Sequence, residues 1–143
     1  MDGYVMDDYT EQLQGLCAEL TPTILTILED MADMFENTTV PTAYIRGAYD
    51  WNFKIPLKAE TITVNISIEE QEEHEAEGEG INFTLEILAG RMALAQYIPY
   101  NFTPNCWVPL DYDKLLTRVN VLNNNEIKCD LQEIVRQKKR EEQ

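Results

Sequence analysis

The chain has 143 residues, 44% of them hydrophobic, enough for one domain with a core of its own. Its three cysteines (Cys17, Cys106 and Cys129), odd in number and without a C-x-x-C pair, outline neither a disulfide framework nor a zinc site. The formal net charge is -15, and nine acids with no Lys or Arg in residues 1–40 and seven glutamates with no Lys or Arg in residues 61–80 account for it. That field repels phosphate backbones and anionic lipid, no apolar run reaches the roughly 18 to 20 residues of a membrane span, and the aspartate-bearing N-terminus is unlike a signal peptide. Direct nucleic-acid and membrane binding are therefore not expected, and the expected location is cytoplasmic.

From Asp8 onward, Leu13, Cys17, Leu20, Ile24, Ile27, Met31 and Met34 recur at alternating intervals of four and three, which lines one side of a helix. Pro22 interrupts the run, since it removes a donor and crowds the preceding turn. The spacing predicts a helical pair, with Thr21 capping the second helix and Pro22 at its first position, in preference to one long kinked helix. A stripe of this kind can also serve as a coiled-coil seam, so a homodimer through the N-terminal helices is an option. Its Cys, Ile and Met content and the proline favour packing on a sheet instead.

After the polar turn Glu36 to Thr39 the period changes to two. Tyr49, Trp51, Phe53 and Ile55 alternate with Asp50, Asn52 and Lys54, and Ile62, Val64, Ile66 and Ile68 alternate with Thr61, Thr63, Asn65 and Ser67. A third strand carries Ile81, Phe83, Leu85 and Ile87 and ends at Gly90. The second and third bracket an acidic run, which predicts an antiparallel hairpin with a charged loop over 69–80. Arg91 to Tyr97 reads as a fourth strand, with a helical turn over Met92 to Ala95 as the alternative. Pro99, Pro104 and Pro109, interleaved with Tyr100, Phe102 and Trp107, exclude a central strand or helix and predict an irregular aromatic segment. Asp111 or Asp113 caps a short helix through Leu115, Leu116 and Val119, and Asn123 to Asn125 form a turn. A last helix is expected from Asp130, where Asp130 and Glu133 resemble a capping box, with Leu131, Ile134 and Val135 as its apolar face and fraying beyond two turns. The expected architecture is a single α+β domain over 1–143, with residues 1–7 and 137–143 frayed. In it the N-terminal helical pair packs on a three- or four-stranded antiparallel sheet, followed by the Pro/aromatic-rich segment and the C-terminal helix.

Chemistry is marked by what is missing. Ser67 is the one serine and His74 the one histidine, the first on the polar side of a strand and the second in the acidic loop, so neither serine nor cysteine catalysis finds its nucleophile and base together. The six glycines match neither a phosphate-binding loop nor a dinucleotide fingerprint, and no cofactor is expected. Four Asn-x-Ser/Thr triplets, at Asn37, Asn65, Asn82 and Asn101, carry no weight for glycosylation in a chain read as cytoplasmic. Asp111 with Asp113 is the one carboxylate pair with a claim to acid-base work, and a helix start accounts for it as well. The glutamate run lacks EF-hand spacing, so no metal site is expected.

Function then falls to surfaces. The expected role is a non-catalytic interaction or regulatory module that docks on a protein with a basic surface. Its candidate contacts are Glu69, Glu70, Glu72, Glu73, Glu75, Glu77 and Glu79 in the loop and Tyr100, Phe102 and Trp107 in the aromatic segment. The alternatives are an inhibitor that imitates nucleic acid toward a DNA- or RNA-binding protein such as a defence nuclease, and a small hydrolase or cation-binding protein.

Overall fold

The computed structural model describes residues 3–46, 48–71, 80–98 and 110–142. Helix α1 (Gly3–Ala32) is followed by five strands, β1 (Thr42–Arg46), β2 (Ala48–Pro56), β3 (Thr61–Gln71), β4 (Gly80–Ala89) and β5 (Met92–Tyr97). Helices α2 (Tyr112–Val121) and α3 (Asn125–Glu141) complete the order. The strands form one antiparallel sheet in sequence order, β1-β2-β3-β4-β5. The α+β class holds, but the sheet has five strands rather than three or four.

The helical pair is instead one helix of 30 residues that passes through Pro22. Two features carry it across. The apolar stripe keeps its register on both sides of the proline: Leu13, Cys17, Leu20, Ile24, Leu28 and Met31 are all fully buried, and a break at Pro22 would turn half of them away from the sheet. The hydroxyl of Thr21 donates to the Cys17 carbonyl at 2.7 Å and accepts from the buried Trp51 indole at 2.9 Å, so the turn that the proline weakens is held by the sheet itself. Pro22 is exposed, and its ring displaces nothing in the core. Past Ala32 the chain tightens, with Met34 and Phe35 donating to Met31 and Ala32, and it turns out of the helix through Asn37 at a φ of 62°, a left-handed conformation that asparagine tolerates.

The alternating strands pair as their patterns require. Trp51, Phe53 and Ile55 of β2 lie opposite Ile66, Val64 and Ile62 of β3, which in turn lie opposite Leu85, Ile87 and Ala89 of β4, so one face of the sheet is continuous apolar surface. The opposite face carries Asn52, Thr63, Asn65, Ser67 and Glu86. There the Asn52 amide donates to Asn65, and the Asn65 amide to Asp50. The hairpin between β3 and β4 forms, and its ladder runs on through Glu69↔Asn82, Glu70↔Ile81 and Gln71↔Gly80, so the segment joining the two strands is 72–79 rather than 69–80. The Arg91 to Tyr97 stretch is a strand. Gly90, at a φ of 61°, takes the first position of its two-residue turn, where a positive φ is required. The unanticipated strand is β1, whose inward residues are only Ala43 and Ile45, opposite Trp51 and Tyr49.

All three helices share the apolar face. α1 packs on β1, β2 and α2, and Leu115, Val119 and Leu122 near α2 join the same core as Ile127, Leu131 and Val135 of α3. α3 starts at Asn125, five residues before the Asp130 capping box, because Asn124 caps it (Glu126 amide to Asn124 Oδ1, 2.7 Å) and Ile127 extends the stripe one turn earlier. It continues to Glu141 instead of fraying after two turns, since its far end is anchored: Lys138 pairs with Glu60 at 3.1 Å, and Glu142 accepts from the Ala59 amide at 2.8 Å. Its side is tied to β5 where the Tyr97 hydroxyl donates to Asp130 at 2.6 Å. Burial first, and then this bond, push the Tyr97 hydroxyl above its ordinary pKa. No helix among the described residues is long and apolar enough to cross a membrane.

The Thr21 relay makes a specific demand. Thr21→Val leaves the buried Trp51 N–H without its acceptor and should lower unfolding free energy by about 1 to 3 kcal/mol, whereas Thr21→Ser should stay close to wild type; urea denaturation measures both. Gly15 sits in the middle of α1 on its exposed side, with nothing within 4 Å of where a Cβ would be. Gly15→Ala should therefore stabilise the chain by about 0.5 to 1 kcal/mol in the same assay.

Candidate functional site

The candidate loop and aromatic residues are distributed as follows. Glu69 and Glu70 occupy the last rungs of the β3–β4 ladder, while Glu72, Glu73, Glu75, Glu77, Glu79, Tyr100, Phe102 and Trp107 lie outside the described residues, as do His74 and Cys106. Ser67 lies on the polar sheet face, Cys17 is buried in the core and Cys129 is exposed on α3. Asp111 is the N-cap of α2, its carboxylate accepting from the amides of Asp113 at 3.0 Å and Lys114 at 3.4 Å, so one member of the carboxylate pair is committed to the helix start. Among the described residues, no group of three or more His, Cys, Asp or Glu side chains is placed to hold a metal ion.

What the fold does bring together is the first acidic block. Turning the apolar stripe of α1 onto the sheet leaves the other side of the helix outward. Glu11, Glu19, Glu29, Asp30 and, just past the helix, Asp33 and Glu36 are all exposed there. The ion pairs among the described residues, Arg136 with Glu133 and Lys138 with Glu60 and Glu141, involve α3 and the β2–β3 turn, and none reaches α1. Four of the six acids crowd within eight positions at the C-terminal end of the helix. The macrodipole is negative at that end, so each of these carboxylates is unfavourable, and the last turn holds no basic residue. Glu29 with Asp33 and Asp30 with Asp33 are also like-charged neighbours at four- and three-residue spacing, each worth about 0.2 to 0.5 kcal/mol of repulsion, because the Asp33 amide still bonds to the Glu29 carbonyl as in the helix. The arrangement costs the isolated chain stability.

Beside this end of α1 lies a cleft of about 340 Å³. Three segments far apart in sequence build it: the exit from α1 (Phe35, Glu36), the β2–β3 turn (Ile55, Leu57, Lys58) and the last turn of α3, which supplies Lys139. The Glu142 bond to Ala59 and the Lys138 bond to Glu60 fix the second and third against each other. The Lys138 ammonium is held above its ordinary pKa, first by its hydrogen bond to Glu60. The first segment is pinned to β2, where the Thr39 amide donates to the Lys54 carbonyl at 3.0 Å and the Lys54 amide to the Thr39 hydroxyl at 2.8 Å.

No known protein family, curated protein or solved structure matches the chain. The site therefore rests on its own geometry. The sequence signals the acidic block through its charge count, whereas the cleft has no local signature because Phe35, Leu57 and Lys139 meet only in the folded chain.

The capping role of Asp111 is separable from any binding role. Asp111→Ala should lower unfolding free energy by about 1 kcal/mol in urea denaturation, the usual cost of losing an N-cap, whereas Asp113→Ala, which loses no cap, should cost less.

Proposed function

We infer that this chain is a non-catalytic docking module that presents the acidic outer side of α1 to a protein with a basic surface. One observation carries the reading: four carboxylates are concentrated around the negative end of a helix whose last turn holds no basic residue, and none of the ion pairs among the described residues reaches them. A basic partner surface relieves the dipole and the mutual repulsion in one step, so the free-energy gain on binding is larger than the same charges would give at a neutral position. The buried stripe of α1 supports a heterologous partner over a second copy. Its apolar residues already pack on the sheet within one chain, and a homodimer through α1 would have to bring two acidic sides together.

The nucleic-acid mimic finds less support on this face. DNA presents one charge per roughly 1.7 Å of axis in regular succession. Among the described side chains of α1, the acids at 11, 19 and 29 are eight and ten residues apart, about 12 and 15 Å at the helical rise, before the cluster begins. The second acidic block, 72–79, is a further contact in this reading, together with Glu69 and Glu70 and the aromatic residues Tyr100, Phe102 and Trp107.

The test combines stability with capture. A variant carrying Glu29→Gln, Asp30→Asn and Asp33→Asn should unfold at a higher temperature than wild type, by the equivalent of several tenths of a kcal/mol. It should also lose most of the basic proteins that the immobilised wild-type chain retains from a cell lysate at about 50 mM salt and releases near 500 mM. Unchanged, salt-insensitive capture by the variant overturns the reading. A second variant with the glutamates of 72–79 changed to glutamine tells which block carries the contact.

A further inference from the structure

The geometry points to a cleft that accepts one apolar anchor side chain from a partner segment whose charge changes sign across the anchor, basic toward α1 and acidic toward α3. This deepens the docking reading and rests on it, because Glu36 belongs both to the acidic end of α1 and to the wall of the cleft. The floor is apolar, with Ile55 buried and Phe35 and Leu57 half-buried, so two large side chains keep surface that a neighbouring group can cover. At about 340 Å³ the space is at the low end for ligand pockets, the scale of one large side chain with its flanking backbone rather than of a cofactor.

The rim is polar and asymmetric. Lys58 and Lys139 are exposed, make no ion pair among the described residues and come from the two segments that Glu142 and Lys138 hold together; Glu36 comes from the third. A uniformly basic partner that satisfied Glu29, Asp33 and Glu36 would meet repulsion at Lys58 and Lys139; the Glu142 carboxylate lines the same side but accepts from the Ala59 amide, and the two lysines leave that wall net positive toward a partner carboxylate. The order basic, apolar, acidic therefore matches the net charge of the two sides of the cleft. The three walls are tied by the bonds at Ala59, Glu60 and Lys54, so the cleft exists before the partner arrives and the partner's ordering is the main entropy cost.

The probe is a synthetic peptide, KKRGFLGEE, together with its reversed-order copy, since the charge order rather than the chain direction is what the surface reads. Titrated into the ¹⁵N-labelled full chain, one of the two should give saturable amide shifts at Phe35, Asn37, Leu57 and Lys58. Replacing its Phe and Leu by Gly and Ser should weaken binding at least about tenfold, as loss of an anchor does. The exposed pair Lys58→Glu and Lys139→Glu, which leaves the core untouched, should weaken the same peptide and favour one with lysines at both ends. If the anchorless peptide binds equally well, with shifts confined to α1, the cleft is overturned and acidic docking stands. If neither peptide shifts the cleft amides, the cleft is likewise overturned, and the docking reading is decided by the capture experiment, which depends on different residues.

Discussion

The one-sided burial of α1 is the constraint on which the remaining structure depends. Eight apolar positions spread over about five turns must face the core together, and Pro22 stands among them. The loss of one backbone hydrogen bond at the proline is small beside the burial of the Ile24, Ile27, Leu28 and Met31 side chains, each worth about 1.5 to 3 kcal/mol when fully removed from water. The helix therefore stays continuous. The bond from Trp51 to Thr21 fixes where along the helix the sheet is met, and that contact sets the position of the acidic side, because every residue not on the stripe must point away.

How far the fold can be read from sequence follows from how local each signal is. β2, β3 and β4 alternate over seven or more residues, so period and face are both legible, and the hairpin between β3 and β4 follows from them. β1 offers only Ala43 and Ile45 as inward residues, too short a run to stand out from a loop; it is a strand because β2 gives it a ladder to complete. The continuity of α1 was hidden because the proline's local preference and the long-range fit of the stripe oppose each other, and only the sheet decides between them. The start of α3 was misplaced because two capping residues compete, and Asn124 gains Ile127 for the core where Asp130 would have left it in a turn. The acidic side of α1 was legible as composition. The cleft was not, since no property of Phe35, Leu57 or Lys139 taken alone foretells that they adjoin.

Charge placement shows a division within the molecule. On α3 the basic residues Lys138, Lys139 and Arg140 occupy the last turn, where the helix dipole favours them, and Asp113 and Glu126 occupy first turns, where it favours acids. α1 does the reverse at its C-terminal end. The two C-terminal helices thus follow local electrostatics while the first opposes it, in the same chain and against the same sheet. A general surplus of acid, needed only for solubility, would have no reason to gather where the backbone most disfavours it. This contrast, more than the net charge of -15, is what supports the proposed reading of α1 as a contact surface.

The topology also sets the scale of the partner. The exit of α1 meets the sheet at the β2–β3 turn, while the 72–79 segment joins β3 to β4 at the opposite end, and β3 between them has 11 residues, about 33 Å at the rise of a strand. That is several times the screening length of about 8 Å at physiological salt, so the carboxylates at the exit of α1 are screened from the far end of β3. In the proposed docking role, a contact at the exit of α1 and a second one beyond the last rung of β3 would be two linked binding events, the second forming at the effective concentration that the sheet imposes. A short basic segment would make only one of these contacts. In that role an extended basic surface would bind more strongly than a short one, and the length of β3 would be the distance it has to match.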